Sequence, residues 1–119
     1  MRVLLAEDDA ATVETAARVL RGQGHVVTTA TSLSQALAVT CNEFDVVVSD
    51  LELGDGSGLE LMRHIRCRGG TPGIAVSGYA TEADVQQSLD AGFAVHLAKP
   101  VTFGMLESAI HQVTAAQSR

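Results

Sequence analysis

Short β-branched runs alternate along this chain with stretches in which apolar residues recur at helical spacing. Val3-Leu4-Leu5-Ala6 is an apolar run without polar alternation, as expected for a strand buried on both faces. After Glu7-Asp8-Asp9, the positions Val13, Ala16, Ala17 and Leu20 share one helical face, with Asp9 as the N-cap and Gly22 and Gly24 at the close. Val26-Val27-Thr28-Thr29 predicts a second strand, more polar than the first and hence nearer the sheet edge. Ser32-Leu33-Ser34-Gln35 has the capping-box pattern and opens a helix through Ala36, Leu37 and Thr40.

The run from Phe44 to Ser49 predicts a third strand and ends at Asp50. A loop of Gly and Asp follows, and Ser57-Gly58-Leu59-Glu60 is a second capping box, opening a helix that buries Leu59, Met62 and Ile65. Gly69-Gly70-Thr71-Pro72 stops it. Ile74-Ala75-Val76 predicts the fourth strand, ending at Ser77-Gly78. Thr81 starts a helix with Val85 and Leu89 turned inward, and Gly92 ends it. Ala94-Val95-His96-Leu97-Ala98 predicts the fifth strand, before Lys99-Pro100. Phe103, Leu106, Ile110 and Val113 keep helical spacing, with fraying expected from Ala115 to Arg119. Five β-α units with short connections predict an α/β fold, a parallel sheet with helices on both faces, in one domain over 1–119.

Composition supports this picture. Hydrophobic residues make up 46% and charged residues 18% of the 119, which is globular and not disordered. The net charge of −6 argues against direct nucleic-acid binding, although Arg63, His64, Arg66 and Arg68 form a small basic cluster. Cys41 and Cys67 lack disulfide or zinc spacing and are expected as free thiols in a reducing compartment. No run approaches a membrane span and no signal-peptide core follows Met1, so a cytoplasmic location is expected. His25, His64 and His111 have no ligand partners at useful spacing and are expected at the surface or half-buried.

The candidate chemistry stands just past the strands. The first gives Glu7 and Asp8, the third Asp50, the fourth Ser77 and the fifth Lys99-Pro100. In a parallel sheet these ends share one edge, where open α/β sheets bind their ligands. Carboxylates gathered there repel one another unless a cation compensates. A hard divalent ion such as Mg²⁺ answers that need, and Lys99 adds a second positive charge. A hydroxyl, an ammonium and a divalent ion around a carboxylate suit phosphoryl chemistry, which is mostly positioning and charge neutralisation. Taken alone, Glu7-Asp8-Asp9 would be no more than an acidic helix start.

This set of residues in this order resembles the receiver domain of two-component response regulators over nearly the whole chain. The resemblance implies a flavodoxin-like, doubly wound (βα)5 fold with strand order 2-1-3-4-5. It implies that Asp50 is the phosphoacceptor, taking a phosphoryl group from a histidine kinase or a histidine phosphotransfer domain. Such a domain is not a free-standing enzyme but promotes its own phosphorylation and dephosphorylation. Asp8, Asp50 and the backbone carbonyl of Glu52 would bind Mg²⁺ or Mn²⁺, with Glu7 acting through water. Ser77 and Lys99 would hold phosphoryl oxygens, and Pro100 would follow a cis peptide bond that positions Lys99. Movement of Ser77 would make room for His96 and reshape the face formed by the fourth helix, fifth strand and fifth helix. Dimerisation is compatible with this scheme.

Two positions depart from the family pattern. Gly54 stands where Pro is common, which loosens the loop. His96 stands where Tyr or Phe is usual, which makes a pH-responsive switch the expectation. Tyr79 and Glu52 flank the site and either tune phosphoryl loss or are simply exposed. The segment from Ser77-Gly78-Tyr79 to Lys99-Pro100 resembles receivers at the C-terminus of hybrid sensor kinases, which implies a fused kinase or output domain and a parent chain that begins before Met1. One rival is a Mg²⁺-dependent phosphohydrolase with an Asp nucleophile, but Glu7-Asp8-Asp9 lacks the usual spacing of its two acids. A flavin or nucleotide module would need a Gly- or Thr-rich loop after the first strand, where this chain is acidic. A degenerate docking module would not keep Asp8, Asp50, Ser77 and Lys99 together.

Overall fold

The computed structural model describes residues 1–40, 42–78 and 81–117. Five strands and five helices alternate: β1 (Arg2–Ala6), α1 (Ala10–Gly22), β2 (Val26–Ala30), α2 (Leu33–Ala38), β3 (Val46–Asp50), α3 (Gly58–Arg68), β4 (Gly73–Ser77), α4 (Glu82–Ala91), β5 (Phe93–Ala98) and α5 (Phe103–Gln117). The strands form one parallel sheet in the order β2-β1-β3-β4-β5. The more polar β2 is an edge strand, as its composition predicts. Among the described residues, no helix is long and apolar enough to cross a membrane.

The period-two geometry of a strand sends neighbouring side chains to opposite faces. Val3, Leu5, Val46, Val48 and Ile74 therefore meet Val13, Ala17 and Leu20 of α1 and Leu106, Ile110 and Val113 of α5. Leu4, Ala6, Val47 and Ala75 meet Leu33 and Ala36 of α2 and Leu61, Met62 and Ile65 of α3. Every residue of β3 is buried, because both faces of this central strand are covered. Asp50 is its last residue and is only 6% exposed.

Several local expectations are corrected. Phe44 and Asp45 precede β3, and Phe93 belongs to β5. α2 ends at Ala38, short of Thr40. In α3 Met62 and Ile65 are buried as expected, but Leu61 is buried with them while Leu59 is half-buried. In α4 Leu89 points outward, at 42% exposed, and Ser88 and Ala91 are buried instead, with Val85 half-buried. The inward face of a short helix beside an edge strand is narrow, and small residues let it pack closely. α5 runs through Gln117. His25 is buried, its Nε2 3.3 Å from Glu107 Oε1 on α5, an oxygen that also lies 3.2 Å from His111 Nε2. His64 is half-buried, its Nε2 3.1 Å from Thr40 Oγ1. Cys67 is exposed and free; Cys41, Tyr79 and the last two residues lie outside the described residues.

Gly58 sets α3 against the end of β3. A Cβ there would collide with the backbone carbonyl of Asp50 and stand 2.9 Å from Ser49 Oγ, so no side chain fits without moving the strand end. Gly22, by contrast, has no heavy atom within 4 Å of a built Cβ. Gly58→Ala is expected to cost about 1–3 kcal/mol by overpacking. Gly22→Ala is expected to be neutral or to stabilise by about 0.5 kcal/mol through the unfolded state. Urea denaturation of the two variants checks both; equal midpoints would remove the close approach at Gly58.

Candidate functional site: an acidic pocket at the strand ends

Register brings the site together. Ala6 pairs with Ser49, so Glu7 and Asp50 are the next residues on neighbouring strands. Asp50 pairs with Val76, and Ser77 pairs with Ala98, which puts Lys99 one step beyond. Four strands thus deliver Glu7, Asp50, Ser77 and Lys99 to one edge. Asp9 is taken up as the α1 N-cap, accepting from the Ala11 N–H at 3.2 Å and from the Thr12 hydroxyl at 2.7 Å. The Thr12 hydroxyl holds its carboxyl below the usual range. That leaves Glu7 and Asp8 for the pocket.

Lys99 is the cation of the arrangement. Its Nζ lies 2.5 Å from Asp50 Oδ2 and 3.3 Å from Glu7 Oε2. The other Asp50 oxygen, Oδ1, accepts from the Glu52 N–H at 3.0 Å. The Lys99 N–H donates to the Ser77 carbonyl at 2.8 Å, so the main chain of β4 aims the lysine. The Lys99-Pro100 peptide bond is cis. Ser77 is buried. Burial works to lower the Lys99 pKa, but the Asp50 and Glu7 carboxylates outweigh it and hold the ammonium above its usual value.

Glu7 bears the cost of the crowding. Burial, together with hydrogen bonding to Asp50 and Asp8 and the Asp50 charge, pushes its carboxyl up to about 7. Lys99 makes the shorter contact with Asp50 and the longer one with Glu7. Glu7, Asp8 and Asp50 offer carboxylate oxygens that all lie within 4.8 Å of one another. Hard oxygen donors packed this tightly, with one forced toward its neutral form, fit a divalent cation by their chemistry.

Glu52 is exposed and reaches the pocket through its N–H, while an isolated bridge to Ser57 closes the loop behind it. His96 is half-buried in β5, paired in register with Ala75, and its Nε2 has no hydrogen-bond partner among the described residues. Reading the sequence missed the Glu52 N–H on Asp50, because main-chain donors leave no trace in residue identity. It also missed the reach of Asp55, whose carboxylate accepts from the N–H groups of Leu33 and Ser34 at 2.7 and 3.0 Å.

Comparison with known proteins agrees with this geometry. The family model for the response regulator receiver domain matches residues 3–111. The KDP operon transcriptional regulatory protein KdpE of Escherichia coli is 34% identical over 107 residues, taking in 89% of this chain and 48% of that protein. The response regulator protein PmrA of Pseudomonas aeruginosa is 33% identical over 116 residues, covering 96% of this chain and 52% of that one. The chain thus spans about half the length of these two relatives. Among solved structures, a CheY-like receiver domain protein from Methanospirillum hungatei superposes with a TM-score of 0.91 at 31% identity, covering 98% of this chain and 95% of that one. A response regulator from Burkholderia pseudomallei, solved with a phosphorylated aspartic acid and a calcium ion, gives a TM-score of 0.85 at 27% identity, covering 98% and 72%. The chain belongs to the response regulator receiver domain family of two-component systems.

Proposed function

We propose that this receiver domain takes a phosphoryl group onto Asp50 from a phosphohistidine on a histidine kinase or a histidine phosphotransfer domain. The observation that carries the proposal is the placement of Asp50: a nearly buried carboxylate between the Lys99 ammonium and the Glu52 N–H, beside Glu7 and Asp8. The Burkholderia relative, by its description, carries a phosphorylated aspartic acid and a calcium ion, which favours the same chemistry here.

An Asp50 oxygen attacks phosphorus, the P–O bond forms, and the P–N bond breaks with its electron pair going to the departing imidazole. Lys99, already at the carboxylate, is placed to follow the new negative charge onto a phosphoryl oxygen. Ser77, buried at the end of β4, donates its hydroxyl to another. Asp8, Asp50 and the Glu52 carbonyl would hold Mg²⁺ or Mn²⁺, with Glu7 through water, and the ion would neutralise phosphoryl charge. His96 answers the movement of Ser77, and the face made by α4, β5 and α5 carries the result to a partner or to a fused domain outside this chain. The domain promotes only its own phosphorylation and dephosphorylation.

Incubation with a divalent cation and acetyl phosphate is expected to add one phosphoryl group to the wild type and none to Asp50→Asn, as read by intact mass. Equal uptake by both would remove Asp50 from its role. Phosphorylated and resting forms are expected to give different His96 imidazole NMR shifts between about pH 5.5 and about pH 8; identical shifts would exclude His96 from the response.

Glu7 makes stability depend on pH. The folded chain keeps the Glu7 proton until about 7, against a value of 4.5 for a free glutamate. Between those values the folded state binds more protons than the unfolded one. The Glu7 contribution is therefore full below the lower value and is lost as pH rises through the upper. Relative to Glu7→Gln, metal-free wild type should lose on the order of 1–3 kcal/mol between about pH 5 and about pH 8. Added Mg²⁺ should flatten that difference by favouring the ionised carboxylate. Denaturation of both proteins across pH checks the slope and its sign.

A further inference from the structure

The loop between Asp50 and α3 is held by contacts of two kinds. Some fix its own shape: the Leu53 N–H donates to the Gly56 carbonyl at 3.0 Å, and the Asp55 N–H to the Leu53 carbonyl at 2.8 Å. Leu53 is buried and anchors its inner side. Gly54, at φ 78°, gives the loop a left-handed pivot without a side chain. The outer side is fixed elsewhere. Both Asp55 oxygens accept from the first turn of α2, at the N–H groups of Leu33 and Ser34. Those two bonds hold the Asp55 carboxyl below its usual range. Gly56 lies so close under Leu33 that a Cβ there would collide with the Leu33 side chain.

α2 does not need this carboxylate for an N-cap of its own. Ser32 caps it, accepting from the Gln35 N–H at 3.0 Å. Asp55 instead takes two further N–H groups that no helix carbonyl can reach. The bonds cross 22 and 21 residues of sequence, and they join α2 to the segment that carries Asp50 and Glu52.

We propose that Asp55 is a positioning residue for the acidic pocket: its carboxylate ties the Asp50 loop to α2 and so fixes the Glu52 main chain beside Asp50. This rests on the proposed function for its consequence, but not for the tether itself. Without Asp55 the loop keeps its Leu53 anchor and pivots at Gly54. The Glu52 N–H then wanders from Asp50 Oδ1, and the carbonyl assigned to the cation wanders with it. Residues that orient metal ligands commonly matter about tenfold or more in affinity.

The test compares Asp55→Ala, Asp55→Asn and Ser32→Ala. Ser32→Ala weakens α2 through its own cap but leaves the tether intact, which separates positioning from simple loss of stability. In metal-free protein, amide exchange at Glu52, Leu53, Asp55 and Gly58 should quicken in Asp55→Ala and stay near wild type in Ser32→Ala. Mg²⁺ affinity, by calorimetry, should fall roughly tenfold in Asp55→Ala. It should fall less in Asp55→Asn, which keeps one acceptor oxygen, and should stay within about twofold in Ser32→Ala. Unchanged loop exchange in Asp55→Ala overturns the tether. Equal losses of affinity in Asp55→Ala and Ser32→Ala reduce Asp55 to a structural cap and overturn its positioning role. If wild type takes up no Mg²⁺, the proposed function of the pocket fails together with the cation half of the inference, and the exchange measurement still decides the tether.

Discussion

The structure depends on one electrostatic constraint: carboxylates from two neighbouring strands, with Glu7 and Asp50 buried and Asp8 exposed, crowd around a single lysine. Lys99 resolves the conflict only in part. It stands closest to Asp50 and leaves Glu7 the longer contact, while burial and the neighbouring Asp50 and Asp8 push the Glu7 carboxyl up to about 7. The pocket is short of positive charge, and a divalent cation would relieve that shortage. The parallel sheet makes the constraint possible. Only a register that stacks Ala6, Ser49 and Ala75 side by side brings the residues after them into one place.

Much of this is legible in the amino-acid sequence, because strand ends in a parallel sheet are defined by where apolar runs stop. The runs ending at Ala6, Asp50, Val76 and Ala98 mark the pocket almost residue by residue. The two helix faces of α1 and α5 are equally plain, since both have long amphipathic stretches to read. α4 is not. Its inward residues are Ser88 and Ala91, and neither announces itself as core, whereas Leu89 does and is exposed. Hydrophobicity marks a buried face only when the space beneath it is large enough to need bulky side chains.

His25 and Asp55 show the other limit. Each has its partner far along the chain, His25 at Glu107 and Asp55 at Leu33 and Ser34. Short-range patterns describe what a residue does for its own helix or turn. They carry no information about a carboxylate that serves the main chain of a different helix, which is why Asp55 reads in sequence as ordinary turn chemistry. The Glu52 N–H is invisible for a different reason: its partner Asp50 is only two residues away, but the donor is a group every residue but proline possesses.

The contrast in burial between β3 and β5 has a mechanical consequence. β3 lies at the centre of the sheet and is buried along its full length, so it is a stiff reference point. β5 is an edge strand in which only Phe93 is buried, and it is attached near the pocket by the backbone of Ser77 and Lys99. Any movement started at Asp50 would therefore meet a packed core on the β3 side and little packing at the β5 edge, so the rim is the part of the sheet that costs least to displace.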